Sequence, residues 1–562
     1  MRLTNNIHFR NLRGDLFGGA TAAIVALPMA LAFGVASGAG AAAGLWGAVL
    51  VGFFAALFGG TPTLISEPTG PMTVVMTAVI ANLTAANPEN GLAMAFTVVM
   101  MAGVFQMIFG ALRLGKYVTM MPYTVISGFM SGIGVILIVL QIAPFLGQAN
   151  PPGGVIGTVR AIPELLSNVQ PAETVLAALA IAIIWFMPSK LKRIVPPQLV
   201  ALVVGTALSL VLFQGAEIRR IGEIAAGFPA IQMPTFTFDQ LQLMFVDAAV
   251  LGMLGCIDAL LTSVIADSLT RTEHDSNKEL IGQGLGNLIS GLFGGIAGAG
   301  ATMGTVVNIQ SGGRTALSGL TRAGILLVVI LGAANLAAMI PLAVLAGIAL
   351  KVGIDIIDWG FLKRAHHISF KGAAIMYGVI LLTVFVDLIA AVGVGVFVAN
   401  ILTIDRMSAL QSESVKAITD SDDAILLDTE EKKWLERANG RILLFQLSGP
   451  MIFGVAKAIS REHNALAGCD AIVFDLSDVP HLGVTASLAL ENAIKEAVEK
   501  DRQVFITVTS GQTKRRLEKL DVFNSVPLDR VFDNRAEALE TAFQILLPSM
   551  QEQLHSSTLA TS

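Results

Sequence analysis

The chain has 562 residues, 54% of them hydrophobic and 14% charged, with a mean hydropathy of +0.72. Those values exclude a soluble enzyme of this length and predict a polytopic α-helical membrane protein. The formal charge of -5 hides a division, because acids are scarce before Asp405 and gather with bases after it; net charge says little about partners, and no nucleic acid is expected among them.

Arg2, Arg10 and Arg13 precede the first apolar run, 16–36. Further spans follow, so this run reads as an uncleaved first helix and not as a signal peptide. Apolar segments continue at 42–59, 70–83, 92–112, 123–146, 173–187 and 199–213, which makes seven. A second set of seven falls at 243–269, 279–293, 302–311, 321–338, 340–357, 373–386 and 388–405. The third of each set is too short to cross a hydrocarbon core of ~30 Å alone.

Both short segments follow similar punctuation. Phe58-Gly59-Gly60 precedes Ser66-Glu67-Pro68-Thr69-Gly70-Pro71, and Phe293-Gly294-Gly295 precedes the Gly-rich run to Gly304. Aligning Thr73-Val74-Val75 with Thr305-Val306-Val307 sets an offset of 305 − 73 = 232, which pairs Asp15 with Asp247 and places Thr69-Gly70 on Ala301-Thr302. Two interrupted segments in corresponding halves point to an inverted-repeat transporter with its site between facing half-helices. The repeats span about 10–213 and 243–406. An odd number of spans per repeat turns the second copy over in the membrane.

The loops carry their bases asymmetrically. Arg113, Lys116, Lys190, Lys192, Arg193, Arg271, Lys278, Arg314, Arg322, Lys363, Arg364 and Lys371 fall on the side of the N-terminus, and Arg160, Arg219 and Arg220 on the other. Both termini are therefore expected in the cytoplasm.

Candidate site residues cluster at the breaks. Asp258 lies deep in the first span of the second half, where a carboxylate is costly and marks an ion or proton path. Thr262 is one turn further on the same face. With carbonyls of the unwound run, Gly300 among them, and the Thr302 hydroxyl, they compose an all-oxygen cage for a cation such as Na⁺. A structural Asp without an ion and a proton-carrying Asp are the competing readings. Thr69, Gly70, Ala301 and Thr302 offer N–H groups and hydroxyls to an anion. No basic residue is seen nearby, so the field must come from two helix ends and a bound cation, which suits a monovalent anion coupled to Na⁺. Thr69 also fits a plain N-cap. Glu67 has three open readings: cavity acid, helix-end charge or gate.

Asp15, Asp247, Asp387 and Glu273 lie near span ends and read as capping or exposed. Gln283, Asn287, Asn308 and Gln310 read as interhelical hydrogen-bonding groups. Cys256 and Cys469 lie far apart in different settings and form no disulfide framework or metal cluster. His366-His367 reads as solvated. Phosphate-loop, zinc and nucleophile-elbow signatures do not occur in their proper context, so the chain is read as no enzyme, without a cofactor, driven by a gradient.

After a transport region of 1–406, a linker at 407–439 leads to a small soluble α/β module at 440–550, and a tail at 551–562 is expected to be disordered. The strand-like runs begin at Arg441, Ala471 and Val504, with helical patterns near 430–437, 453–467, 484–500 and 511–520.

Gly14-Asp15-Leu16-Phe17-Gly18-Gly19-Ala20-Thr21, Ile24-Val25-Ala26-Leu27-Pro28 and Asn308-Ile309-Gln310-Ser311-Gly312-Gly313-Arg314-Thr315 resemble motifs of the SulP anion transporters. Phe474-Asp475-Leu476-Ser477-Asp478-Val479-Pro480 resembles a STAS domain. The resemblance implies a core domain moving against a gate domain, a homodimer embedded in membrane lipids, and a cytoplasmic STAS module able to meet a protein partner. Two departures are informative: Met303-Gly304-Thr305 stands where many relatives have a Ser-Arg-Thr-like motif, and Asp258 where many have Glu. Losing a fixed positive charge while keeping an acid is what a Na⁺-assisted site needs, and the chain looks closest to the Na⁺-dependent bicarbonate transporters of the cyanobacterial branch. Thr485 stands at the position STAS domains phosphorylate, but Gly483 replaces the Asp usual just before that position, which argues against this use.

The expectation is Na⁺-coupled bicarbonate uptake across a bacterial plasma membrane. Asp258, Thr262, Gly300 and Thr302 would hold Na⁺, and Thr69, Gly70, Ala301 and Thr302 the anion. The alternatives are proton-coupled sulfate or dicarboxylate transport and a membrane anion sensor that signals through the STAS module.

Overall fold

The computed structural model describes residues 4–5, 9–118, 122–192, 195–213, 215–222, 227–386, 388–419, 427–452, 458, 469–509, 511–520 and 522–559. Asp387 and Arg193 lie outside them, as does nearly all of the helical pattern at 453–467. The chain divides into two compact units, Met1–Ala399 and Asn400–Ser562.

Every apolar segment of the first unit forms a helix. In the first repeat these are α1 (Leu12–Ala36), α2 (Ala41–Phe58), α3 (Gly70–Ala86), α4 (Gly91–Ala111), α5 (Tyr123–Leu140), α6 (Pro171–Phe186) and α7 (Pro197–Val211). The second repeat forms α8 (Phe238–Thr270), α9 (Ser276–Leu292), α10 (Thr302–Gln310), α11 (Ala316–Gly332), α12 (Leu342–Ile356), α13 (Phe370–Phe385) and α14 (Leu388–Glu413), the last of which continues into the second unit. Among the described residues six helices are by themselves long and apolar enough to cross a membrane. Others are shorter: α3, with 17 residues, reaches only ~25 Å, and α10, with 9, only ~14 Å. This is a multi-pass membrane protein with broken spans. Besides four-residue helical turns, a longer helix was not anticipated, Gly154–Ser167, set at 118° to α6; Arg160, Pro163 and Glu164 interrupt its apolar pattern.

The internal repeat is geometric as well as textual. Thr69 is the N-cap of α3 and Ala301 that of α10, and 301 − 69 = 232 reproduces the sequence offset. Before each helix lies a two-residue strand, β1 (Ser66–Glu67) and β2 (Ala299–Gly300), paired antiparallel with Ser66 opposite Gly300 and Glu67 opposite Ala299. Antiparallel crossing sends the two half-helices off in opposite directions from one point. Around it α9 packs on α2 and α4, α8 on α4, and α11 on α1 and α2. A second group, α5, α6, α7, α12 and α13, packs mainly on itself, while α1 and α3 touch both groups.

Asp15 corrects the reading of an ordinary span-end residue. It is fully buried and accepts hydrogen bonds from the Arg314 N–H at 2.7 Å, the Thr315 N–H at 3.0 Å and the Thr315 hydroxyl at 2.7 Å. A carboxylate of α1 thus closes the turn between α10 and α11. Asn308 joins the same region, donating to the Thr63 carbonyl and the Ser318 hydroxyl, whereas Gln310 is exposed and is no interhelical bridge. The reason is rotation: Gln310 is two residues beyond Asn308 and so faces away from it.

In the second unit, β3 (Val415–Ile418), β4 (Ile442–Ser448), β5 (Ala471–Asp478), β6 (Gln503–Thr507) and β7 (Val531–Phe532) form one sheet in that order, antiparallel at β3–β4 and parallel elsewhere. α15 (Thr429–Ala438), α16 (Val484–Glu499), α17 (Gln512–Lys519) and α18 (Arg535–Leu559) complete it, with apolar clusters on both faces. The stretch expected to be a linker therefore supplies an edge strand, because Val415 and Ile418 are buried. Likewise α18 runs into the tail expected to be disordered; Gln551-Glu552-Gln553-Leu554 carries good helix formers and no Gly. Arg535 bonds Glu431 at 2.8 Å and the fully buried Asp475 at 3.2 Å. Burial works against its charge, but the hydrogen bond to Glu431 and the two carboxylates raise its pKa above the ordinary arginine value.

Replacing Asp15 with Ala strands the buried N–H and hydroxyl of Thr315 and the partly buried N–H of Arg314, at about 1–3 kcal/mol for each buried group left unsatisfied. The expected outcome is a markedly lower thermal midpoint of the full chain in detergent, with Asp15→Asn intermediate; an unchanged midpoint for Asp15→Ala would refute the bridging role.

Candidate functional site

The strand pair β1–β2 brings together residues 232 and 234 positions apart. It is held because broken backbone inside a membrane protein must find partners there. The Ala301 N–H donates to the Ile65 carbonyl at 2.8 Å, and the Ile65 N–H to the Thr305 hydroxyl at 3.0 Å. Just upstream, Asn287 on α9 binds both polar groups of Gly298, accepting its N–H at 2.8 Å and donating to its carbonyl at 2.9 Å. Gln283 reaches the Ser66 hydroxyl from the same helix. Both amides act as the interhelical groups the sequence suggested. Gly294, at φ +68°, supplies the left-handed turn after α9 that starts the break.

Asp258 and Thr262 enter from α8. The Thr69 hydroxyl donates to Asp258 Oδ2 at 2.7 Å, so Thr69 occupies the N-cap position of α3 without spending its side chain on capping. Thr262 donates to the Gly300 carbonyl at 2.9 Å and lies 3.0 Å from the Thr302 hydroxyl. Since a hydroxyl has one proton, Thr302 is the donor of that second bond. Gly300 makes this approach close: a Cβ there would crowd Ala259 Cα at 3.0 Å and Thr262 Cβ at 3.2 Å. Asp258, Thr69 and Ala301 are each 8% exposed and Thr262 is sealed, while Thr302 is open, so the cluster is buried on one side and accessible on the other. Gly70, also buried, begins α3 beside Thr69. Every residue proposed from sequence for the cation and anion thus gathers around one strand crossing.

A basic residue beside the breaks was misread. Arg322, expected in a charged loop, is fully buried within α11, which begins at Ala316 after the Thr315 N-cap and not near 321. It pairs with Glu67 and also donates to the carbonyls of Ser66 at 3.0 Å and Ala48 at 3.1 Å. A guanidinium therefore does stand beside the breaks. The available signal was Thr315 after Gly312-Gly313, a turn and N-cap that move the helix start five residues back from 321 and carry Arg322 inside it. Glu67 is accordingly the partner of a buried arginine.

In the soluble unit Thr485 is exposed in the first turn of α16, behind the Gly483 N-cap. Cys256 and Cys469 are buried and unbridged.

The sulfate permease family model matches residues 12–379, and the STAS domain model residues 434–538. The chain is 75% identical over 558 residues to the bicarbonate transporter BicA of Synechocystis sp., covering 99% of each chain. A solved transmembrane domain of a cyanobacterial bicarbonate transporter BicA superposes with a TM-score of 0.67 at 78% identity, covering 70% of this chain and all of that one. The inward-facing structure of the murine solute carrier 26 family member A9 anion transporter shares the fold over 96% of this chain and 92% of its own, with a TM-score of 0.80 at 18% identity. Matched by these family models and by a 75% identical relative along nearly its whole length, this chain belongs to the sulfate permease family and carries a STAS domain.

Proposed function

We propose that this protein carries bicarbonate into the cell together with Na⁺, by alternating movement of the group around the strand crossing against the group built on α5, α6, α7, α12 and α13. The observation that carries the reading is the joining of Asp258 and Thr262 on α8 to the starts of both half-helices, through Thr69, Gly300 and Thr302. Asp258, Thr262, the Gly300 carbonyl and Thr302 are an all-oxygen donor set suited to Na⁺. Thr69, Gly70, Ala301 and Thr302 offer hydroxyls and helix-start N–H groups to the anion. The naming of highly identical relatives as bicarbonate transporters supports the choice of anion.

Cation and anion then meet within one cluster, and each raises the affinity for the other. The asymmetric loop charge supports cytoplasmic termini in a plasma membrane. A homodimer within membrane lipids, with the STAS domain available to a cytoplasmic protein partner, completes the reading. The open position of Thr485 leaves it accessible to a kinase, although Gly483 argues against phosphorylation there.

Uptake of radiolabelled bicarbonate into proteoliposomes under an imposed Na⁺ gradient is expected to need Na⁺ and to fall about tenfold or more in Asp258→Ala. Sulfate flux in the same vesicles, driven by pH and indifferent to Na⁺, would replace this reading with the proton-coupled one; binding without flux would favour the sensor.

Thr262→Val keeps the side-chain volume but removes the donor to Gly300. The Na⁺ concentration for half-maximal flux is expected to rise about tenfold, a loss of ~1.4 kcal/mol, with a much smaller change in the bicarbonate requirement at saturating Na⁺. An unchanged Na⁺ requirement would remove Thr262 from the cage.

A further inference from the structure

Glu67 and Arg322 are left unused by the transport reading, yet they lie against it. Arg322 is 0% exposed, and its Nη1 donates to the carbonyl of Ser66, whose register partner is Gly300. Glu67 is 5% exposed, pairs in register with Ala299, and precedes Thr69 by two residues. A guanidinium held this close in a low-dielectric setting would by itself attract an anion. Glu67 cancels that attraction by direct pairing.

The local charges can be counted. Of the groups varied below and the cation-site acid, Asp258 contributes −1, Glu67 −1 and Arg322 +1, so these three together are negative and oppose an anion until a cation enters. Glu279 is a further buried carboxylate near β1, fixed by the N–H groups of Gly60 and Thr61 and by Gln283. It is the same in every variant below and drops out of the comparison.

We infer that the Glu67–Arg322 pair determines the coupling of this site: by neutralising the fixed cation beside the strand crossing, Glu67 makes anion binding depend on a mobile one. This rests on the Na⁺-coupled reading above. Removing the Glu67 charge lets Arg322 stand in for the ion, and removing both charges restores the requirement. Removing Arg322 alone leaves an additional negative charge and deepens it. A pair that merely holds β1 against α11 predicts none of these signs, since all three changes would loosen the same contact.

The test measures bicarbonate binding to the full chain in detergent, as protection from thermal denaturation, in Na⁺ and in choline salt. The coupling factor is the ratio of the half-protecting bicarbonate concentration in choline to that in Na⁺. The expected factor in Glu67→Gln is about tenfold or more below wild type. It returns to near the wild-type value in Glu67→Gln/Arg322→Met and rises above it in Arg322→Met. Equal factors in Glu67→Gln and the double variant, or a wild-type factor in Glu67→Gln, overturn the inference. Should Glu67→Gln fail to fold, Arg322→Met against the double variant decides by sign, and equality overturns it. A wild-type factor of one defeats the Na⁺-coupled reading instead, so the two failures are distinct.

Discussion

A backbone interrupted at membrane depth has no water to turn to, and its polar groups must be satisfied by protein. Here that requirement is met by crossing the two interruptions. Ser66–Glu67 and Ala299–Gly300 pair antiparallel, each break supplying partners for the other. The crossing has a geometric consequence, because two strands that meet antiparallel release their following helices in opposite directions. The starts of α3 and α10 are thereby placed together without any loop long enough to connect them.

The surrounding side chains serve the same end. Asn287 occupies both polar groups of Gly298, Glu279 accepts the N–H groups of Gly60 and Thr61, and Asp15 closes the turn before α11 from a helix about 300 residues earlier. Each is a polar group whose burial is costly unless fully bonded, and each is bonded to backbone that would otherwise be stranded. Glycine matters where the chains approach most closely: Gly300 lies against Ala259 and Thr262, and a Cβ at Gly298 would come within 2.8 Å of the Glu67 carbonyl carbon. The small residues that made these stretches look like broken helices are thus the same ones that permit the crossing.

Charge follows from this scaffold. Asp258 reaches Thr69 because α3 packs on α8, and Arg322 reaches Glu67 because its place within α11 puts its guanidinium on β1, where it also holds the Ser66 carbonyl. One carboxylate is tied to a neutral hydroxyl and the other to a guanidinium. Asp258 and Glu67, both buried and far apart in the sequence, therefore acquire different partners, one a hydroxyl and the other a guanidinium.

The amino-acid sequence by itself determined the membrane class, the paired sets of apolar segments, the 232-residue offset and the residues at the breaks, since hydropathy, Gly punctuation and an isolated carboxylate are local signals. It also carried the soluble α/β module, through its alternating apolar runs. Tertiary structure decided what sits next to what. The pairing of Glu67 with Arg322, the reach of Asp15 to Thr315, the recruitment of Val415–Ile418 as an edge strand and the outward turn of Gln310 depend on helix starts and strand register, which differ by only a few residues from alternatives with the same hydropathy. The Thr315 N-cap could have placed Arg322 inside α11 from sequence alone, but its burial is decided by the packing of α11 on α1 and α2.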